Sequence, residues 1–192
     1  LGTGPDLGAM EAPEPFTVNA DDDNSAIFTD PAGMTTTVFI PAGALQLDMS
    51  FFYKPMDEPG EGFTNTLDYG GRAFEFSPGQ GDFGLQSIFL PLVVTSGEAQ
   101  PAAPAQPLQT AETHGFEFLQ PITFTLYYMD EDLGGIDEND LKLYYYDEFQ
   151  KAWFDVASSC VPTSTYVIDT AANQLSVAVC HLSRFGMGGR GR

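Results

Sequence analysis

Between Pro121 and Trp153 the chain reads PITFTLYYMDEDLGGIDENDLKLYYYDEFQKAW. Ile122, Phe124, Leu126 and Tyr128 share one parity and Thr123, Thr125 and Tyr127 the other, so a pleated strand here has one oily face and one mixed face. Leu141, Leu143 and Tyr145 repeat the alternation. The intervening MDEDLGGIDEND, acidic and with a glycine pair, reads as a loop. Two strands with one apolar face each need a second layer, and no stretch nearby has the helical period to supply it. The expectation is an all-β fold: a two-sheet antiparallel β-sandwich of about ten strands, with an extended N-terminal segment.

The rest of the chain agrees with that expectation. SAIFTD, TTTVFI, LQLDMSFFY, GRAFEFS, GFEFLQP, AWFDVAS, TYVID and QLSVAV are short, turn-bounded runs of strand composition. In LQLDMSFFY the alternation puts Leu45, Leu47, Met49, Phe51 and Tyr53 on one face, and Phe74 and Phe76 point inward from GRAFEFS. Pro-Ala-Gly at 31–33, PAGAL at 41–45 and KPMDEPGEG at 54–62 are turns or loops. SPGQGDFGLQSIFLPLVV reads as one or two short strands, with Pro91 at an edge or bulge. Residues 94–114, rich in Pro, Ala and Gln, read as an exposed loop. The domain reading is an acidic extended segment over 1–24 and a single sandwich over 25–192. Within the first, PFTVNA sets Phe16 and Val18 on one face of a piece able to add to a sheet edge.

Twenty-seven acids against seven bases give a net charge of −20, which repels nucleic-acid phosphates and anionic lipid heads. No apolar run is long enough for a spanning helix, and no basic start with an apolar core marks a leader, so an exported form has already lost its signal. Cys160 and Cys180 flank a candidate hairpin, TSTYVIDTAANQLSVAV, whose adjacent strands bring two Cβ atoms within bridging distance; two free buried thiols are the alternative. A bridge suits an oxidising, extracellular or cell-surface location.

The order TTTVFIPAGAL, AFEFSP, GFEFLQPITFTLYY, the acidic loop and strand, a Trp strand and VAVCHLSRFGMG resembles ZU5-type domains, above all secreted bacterial versions. That resemblance spans roughly 25–188 and implies a β-sandwich that mediates contacts; the segment from Gly79 to His114 departs from it. In some relatives a His-Phe-Ser motif cuts its own backbone before the serine, whose hydroxyl attacks the preceding carbonyl with help from the histidine. The matching residues here are His181, Leu182 and Ser183, with Leu in place of Phe. The plainer reading has His181 bonded to a neighbouring loop and Phe185 filling the core.

Other chemistry is thinly supplied. Asp21, Asp22 and Asp23, and Asp130, Glu131, Asp132, Asp137, Glu138 and Asp140, invite calcium, although neither cluster has the spaced EF-hand pattern and solvated acidic turns explain both; no other cofactor is called for. Asp147 and Glu148 point to opposite faces of a strand and make a poor acid and base pair. Tyr127, Tyr128, Tyr144, Tyr145, Tyr146, Phe149, Trp153 and Phe154 are a candidate sugar-stacking patch, about half of it turned inward by alternation. Residues 1–30 hold seven acids and no base, whereas the last nine hold Arg184, Arg190 and Arg192 and no acid, which suits head-to-tail contact between copies. The leading functional reading is a non-enzymatic extracellular structural or adhesive protein whose copies assemble by donating the strand around Phe16, Thr17 and Val18, with Arg190 and Arg192 at the opposite pole. A carbohydrate-binding module and a self-cleaving domain are the alternatives.

Overall fold

The computed structural model describes residues 15–64, 67–79 and 116–190. Among the described residues eleven strands form two antiparallel sheets. In chain order they are β1 (Phe16–Val18), β2 (Asn24–Thr29), β3 (Thr35–Ile40), β4 (Met49–Met56), β5 (Asp68–Pro78), β6 (Glu117–Tyr127), β7 (Lys142–Asp147), β8 (Ala152–Asp155), β9 (Val167–Asp169), β10 (Gln174–His181) and β11 (Ser183–Gly189). The six-stranded sheet runs β1-β4-β5-β11-β7-β8 and the five-stranded sheet β2-β3-β6-β10-β9. The acidic stretch between β6 and β7 is not a strand but two 3₁₀ turns, Asp130–Leu133 and Glu138–Asp140.

The inward parity of each strand makes the core. Ile122, Phe124, Leu126 and Tyr128 are all buried, and they meet Phe51, Tyr53, Phe74, Phe76 and Phe185 from the facing sheet. Phe124 alone touches the rings of Phe74, Phe76 and Phe185 at centroid distances of 5.3, 5.6 and 5.3 Å. Aromatic pairs of this kind add about 0.5–1.5 kcal/mol each beyond the area they bury. The hairpin turn after β2 closes through Asp30, which accepts from the backbone N–H of Gly33 and, by its side chain, from that of Met34.

Four features depart from the sequence expectations. β4 begins at Met49, because 42–47 is turned, and Leu47 is 72% exposed rather than inward. β1 and the start of β2 lie within residues assigned to the leading segment, so the sandwich begins before residue 25; burial of Val18 holds that piece on the fold. The glycine-rich RFGMGG becomes β11, a central strand. Gly186 and Gly188 are needed there, since a Cβ on Gly186 would lie 2.8 Å from Pro59 and one on Gly188 would run into the Asp68 carbonyl of β5 and lie 2.8 Å from the Phe63 ring. The loop carrying Phe63 folds over the outer face of the six-stranded sheet and buries that ring completely, edge-on to Trp153 at 4.9 Å.

The fourth feature is a cation between the sheets. Arg72 of β5 is 2% exposed, and it donates to the Tyr127 carbonyl at 3.0 Å and to the Thr36 hydroxyl at 2.6 Å, both on the opposite sheet. Its ion-pair partner is Asp30 at 3.6 Å, and the Thr36 and Tyr53 hydroxyls bond each other at 3.0 Å. Burial pushes the Tyr53 hydroxyl pKa above its ordinary value. The expected strands between Gly79 and His114, and the 94–114 loop, lie outside the described residues except for Gly79 itself.

Candidate functional site

One place of interest is the β1 side of the six-stranded sheet, where β1 is the last strand among the described residues. β1 pairs antiparallel with β4 of the same chain through Phe16 with Phe51, Thr17 with Ser50 and Val18 with Met49. Val18 is fully buried, and the Phe16 ring meets Phe28 edge-on at 6.1 Å. Beside β4 there is thus a slot that takes alternate side chains of an extended segment, which is how strand addition combines main-chain bonding with selectivity. The Thr17 and Ser50 hydroxyls lie 3.4 Å apart across the pair.

Four of the aspartates expected to gather a cation, Asp22, Asp23, Asp130 and Asp137, accept hydrogen bonds within turns and loops. In the link from β1 to β2, Asp22 accepts from the Asn19 side chain at 2.9 Å and Asp23 from the Ala42 backbone N–H at 2.9 Å. Asn24 ties the same link shut, donating to the Asn19 and Asp22 carbonyls at 2.8 and 2.6 Å. In the β6–β7 loop, Asp130 accepts from Asn173 at 2.8 Å, Asp137 caps Asn139 at 3.1 Å, and Asp132 packs against Gly71. Asp21 stands exposed. Among the described residues no three His, Cys, Asp or Glu side chains converge to hold a metal ion. Arg190 is exposed at the end of β11, beside Lys142, and the strand registers put it at the opposite end of the sandwich from the Asp21–Asp23 link. Arg192 lies outside the described residues.

At the same end as the link, the chain steps from β10 in one sheet to β11 in the other through His181, Leu182 and Ser183. The Leu182 N–H donates to the Phe116 carbonyl at 2.8 Å, and the Ser183 hydroxyl donates to the Tyr146 carbonyl at 2.7 Å. The largely buried His181 ring stands edge-on to Tyr145, 4.3 Å between centroids. The serine proton is therefore directed at β7. Burial, with the Asp147 charge added, raises the Tyr145 pKa.

These residues line a groove of about 680 Å³ with Phe116, Tyr146 and Phe149 on its walls. At its rim Arg184 pairs with Glu148 at 2.7 Å and lies over the Tyr146 ring at 5.0 Å. Asp147 is buried and caps the following turn, accepting from the N–H groups of Phe149 and Gln150 at 2.8 Å each, while Glu148 is exposed; the two carboxylates do not act on one point.

The aromatic residues do not make one platform. Tyr128 is buried, and Trp153 sits under the Phe63 loop with its indole N–H donating to the Glu61 carbonyl at 3.0 Å. Tyr145 and Phe154 pack against each other with tilted rings at 5.7 Å. Tyr144 meets the Phe63 ring edge-on at 5.8 Å and Tyr146 packs on Trp153 at 5.2 Å, both half-buried, which leaves Phe149, 81% exposed, on the six-stranded side and Tyr127 on the five-stranded one. Cys160 and Cys180 form a disulfide with Cα atoms 5.3 Å apart, fastening the turn after β8 to β10. Nearby, Asp155 takes Lys142 at 2.6 Å and the Tyr166 hydroxyl at 2.7 Å, and burial followed by that hydrogen bond drives the tyrosine pKa far up.

Sequence reasoning missed Arg72 and Phe63. The signal for Arg72 was its parity, shared with Phe74 and Phe76, which marks an inward cation in need of a partner. Phe63 carried none, because it lies in an aperiodic loop. No known protein family's sequence profile matches the chain, and no curated protein matches it.

Proposed function

We propose that this is a non-enzymatic, ZU5-like structural or adhesive β-sandwich of the cell exterior, whose copies join when β1 of one occupies the slot beside β4 of the next. The observation that carries this reading is the β1–β4 pair itself: three residues, at a sheet edge, with Val18 seated in a pocket that every copy possesses. Exchange of an identical element between copies re-uses contacts already present in the closed chain, so its free-energy cost is chiefly the straightening of the link at 19–23. The separation of the acidic link from Arg190 supports a polar, head-to-tail order in which the rotation need not close. The Cys160–Cys180 bridge supports an oxidising location, and among the described residues no helix is long and apolar enough to cross a membrane.

Removing residues 1–18 leaves β2 whole and tests the reading. Negative-stain microscopy should show assemblies of the full chain and none of the shortened one, and a synthetic peptide of residues 11–20 should cap the vacant slot and raise the shortened chain's melting temperature. Assemblies persisting without β1 would refute strand exchange.

A further inference from the structure

We propose that the outer face of the five-stranded sheet is a self-association surface on which a second copy of this chain stacks. This contact is separate from strand exchange and uses none of its residues.

The argument starts from where the charge is missing. In a chain of net charge −20, strands β2, β3, β6, β9 and β10 together carry two carboxylates, Glu117 and Asp169, and no lysine or arginine. The strands of the other sheet carry Lys54, Asp68, Arg72, Glu75, Lys142, Asp147, Asp155 and Arg184, and the loop with Phe63 covers part of its outer face. Strand register sets the outward positions of the bare sheet in rows. One row runs Ile27, Thr37, Thr125, Ser176, Val167 across all five strands. The next runs Ser25, Phe39, Thr123, Ala178. Neither row contains a charge; a third, with Thr29 and Thr35 at one side and Tyr127, Gln174 and Asp169 at the other, brings one carboxylate to a corner, on edge strand β9.

The face is also apolar for a water-facing surface. Ile27 is 70% exposed and Val167 66%, with Phe39 and Leu119 open beside them. Its hydroxyls are partly satisfied already: Thr125 and Ser176 bond each other at 2.8 Å, which lowers the cost of removing water from them. Solvated Thr and Ser ranks with isolated hydrophobic residues are ordinary on a monomer. What favours a second copy is the charge distribution among the described residues: each end of the sandwich carries an acidic loop, Asp21–Asp23 at one and Asp130–Asp140 at the other, that would meet its own kind, whereas this face brings only Asp169 to a corner. Five strands at about 4.8 Å and three outward rows cover roughly 24 by 20 Å, so a face-to-face pair buries about 1,000 Å², the lower bound for specific association. Two such faces stack at about 10 Å, the ordinary spacing of packed sheets.

Sedimentation velocity on the full chain, from about 1 μM to about 1 mM, reads the pair directly. A dimer is expected that tightens as NaCl rises from about 0.05 to 0.5 M, because salt screens the repulsion between copies while the contact has no ion pairs to lose. Ile27→Lys and Thr125→Lys should each raise the dissociation constant about tenfold or more. Both make the net charge less negative, so relief of general repulsion alone would produce the opposite shift. Ser77→Lys on the other sheet should not weaken the dimer. Chains lacking residues 1–18 should dimerise as the full chain does, which separates failure of this contact from failure of strand exchange. A chain monomeric throughout, a dimer indifferent to both lysines, or one that dissolves in salt overturns the proposal.

Discussion

Arg72 and Asp30 should behave asymmetrically when removed. Arg72→Met strips the donor from the Tyr127 carbonyl and from Thr36, but Thr36 and Tyr53 keep their mutual bond at 3.0 Å, so one buried acceptor is left unsatisfied. Asp30, with its side chain 14% exposed, keeps the Met34 N–H and gains some water. The expected loss is about 2 kcal/mol, within the range for one unsatisfied buried group. Asp30→Asn retains the turn's hydrogen bond but leaves a guanidinium 2% exposed facing only neutral oxygens. Breaking a buried pair from one side costs about 3–5 kcal/mol; the 3.6 Å separation and partial exposure of Asp30 argue for about 3. The double variant should resemble Arg72→Met alone, so the two losses overlap by about 2 kcal/mol or more. Urea unfolding followed by the single tryptophan, Trp153, measures all four chains. Losses additive within about 0.5 kcal/mol, or an Asp30→Asn chain as stable as the parent, would refute an ion pair clamping the sheets together.

Other perturbations follow from the packing. Reducing the Cys160–Cys180 bridge, which spans 20 residues, should cost about 3 kcal/mol and lower the calorimetric midpoint by about 6–12 °C; an unchanged midpoint contradicts its role as a fastener. Gly186→Ala places a methyl 2.8 Å from Pro59 and 2.9 Å from the Phe63 ring, so the loop should lift at a cost of about 1–3 kcal/mol and the Trp153 emission should shift red, while an unshifted spectrum sinks the close-contact account. Above pH 10 the protein should lose stability. Burial holds the Tyr53, Tyr128, Tyr144, Tyr145 and Tyr166 hydroxyls above their ordinary pKa and pushes Tyr69 up to about 12, so the unfolded chain releases protons that the folded one keeps. Tyrosinate absorbance should accordingly lag in the folded protein and jump on unfolding between about pH 10 and 12, and simple titration near pH 10 contradicts it.

The two layers were legible because alternation is enforced by burial: Ile122, Phe124 and Leu126 face a core and cannot change parity without exposing it. The same rule misplaced Leu47, since it assumes a strand is already extended and PAGAL at 41–45 turns the chain first. β11 escaped notice because Gly186 and Gly188 answer contacts made by Pro59, Phe63 and the Asp68 carbonyl, all more than a hundred residues earlier in the sequence, and no local pattern records that need. The disulfide was readable from a hairpin's flanks, whereas the role of the acidic clusters was not, because Asp and Asn serve turn capping as readily as metal binding. The Arg72 clamp needed both sheets in view: Thr36, Tyr53, Asp30 and the Tyr127 carbonyl lie in four separate stretches of the sequence.

Cysteines at positions 17 and 50 report where β1 lies in an assembly. In Thr17→Cys/Ser50→Cys, at sites whose hydroxyls stand 3.4 Å apart across the β1–β4 pair, mild oxidation should yield a ladder of covalent oligomers on a non-reducing gel when copies exchange β1. A band of single chains alone, from samples that microscopy shows to be assembled, would mean that β1 never leaves its own β4 and that the copies are held by something else.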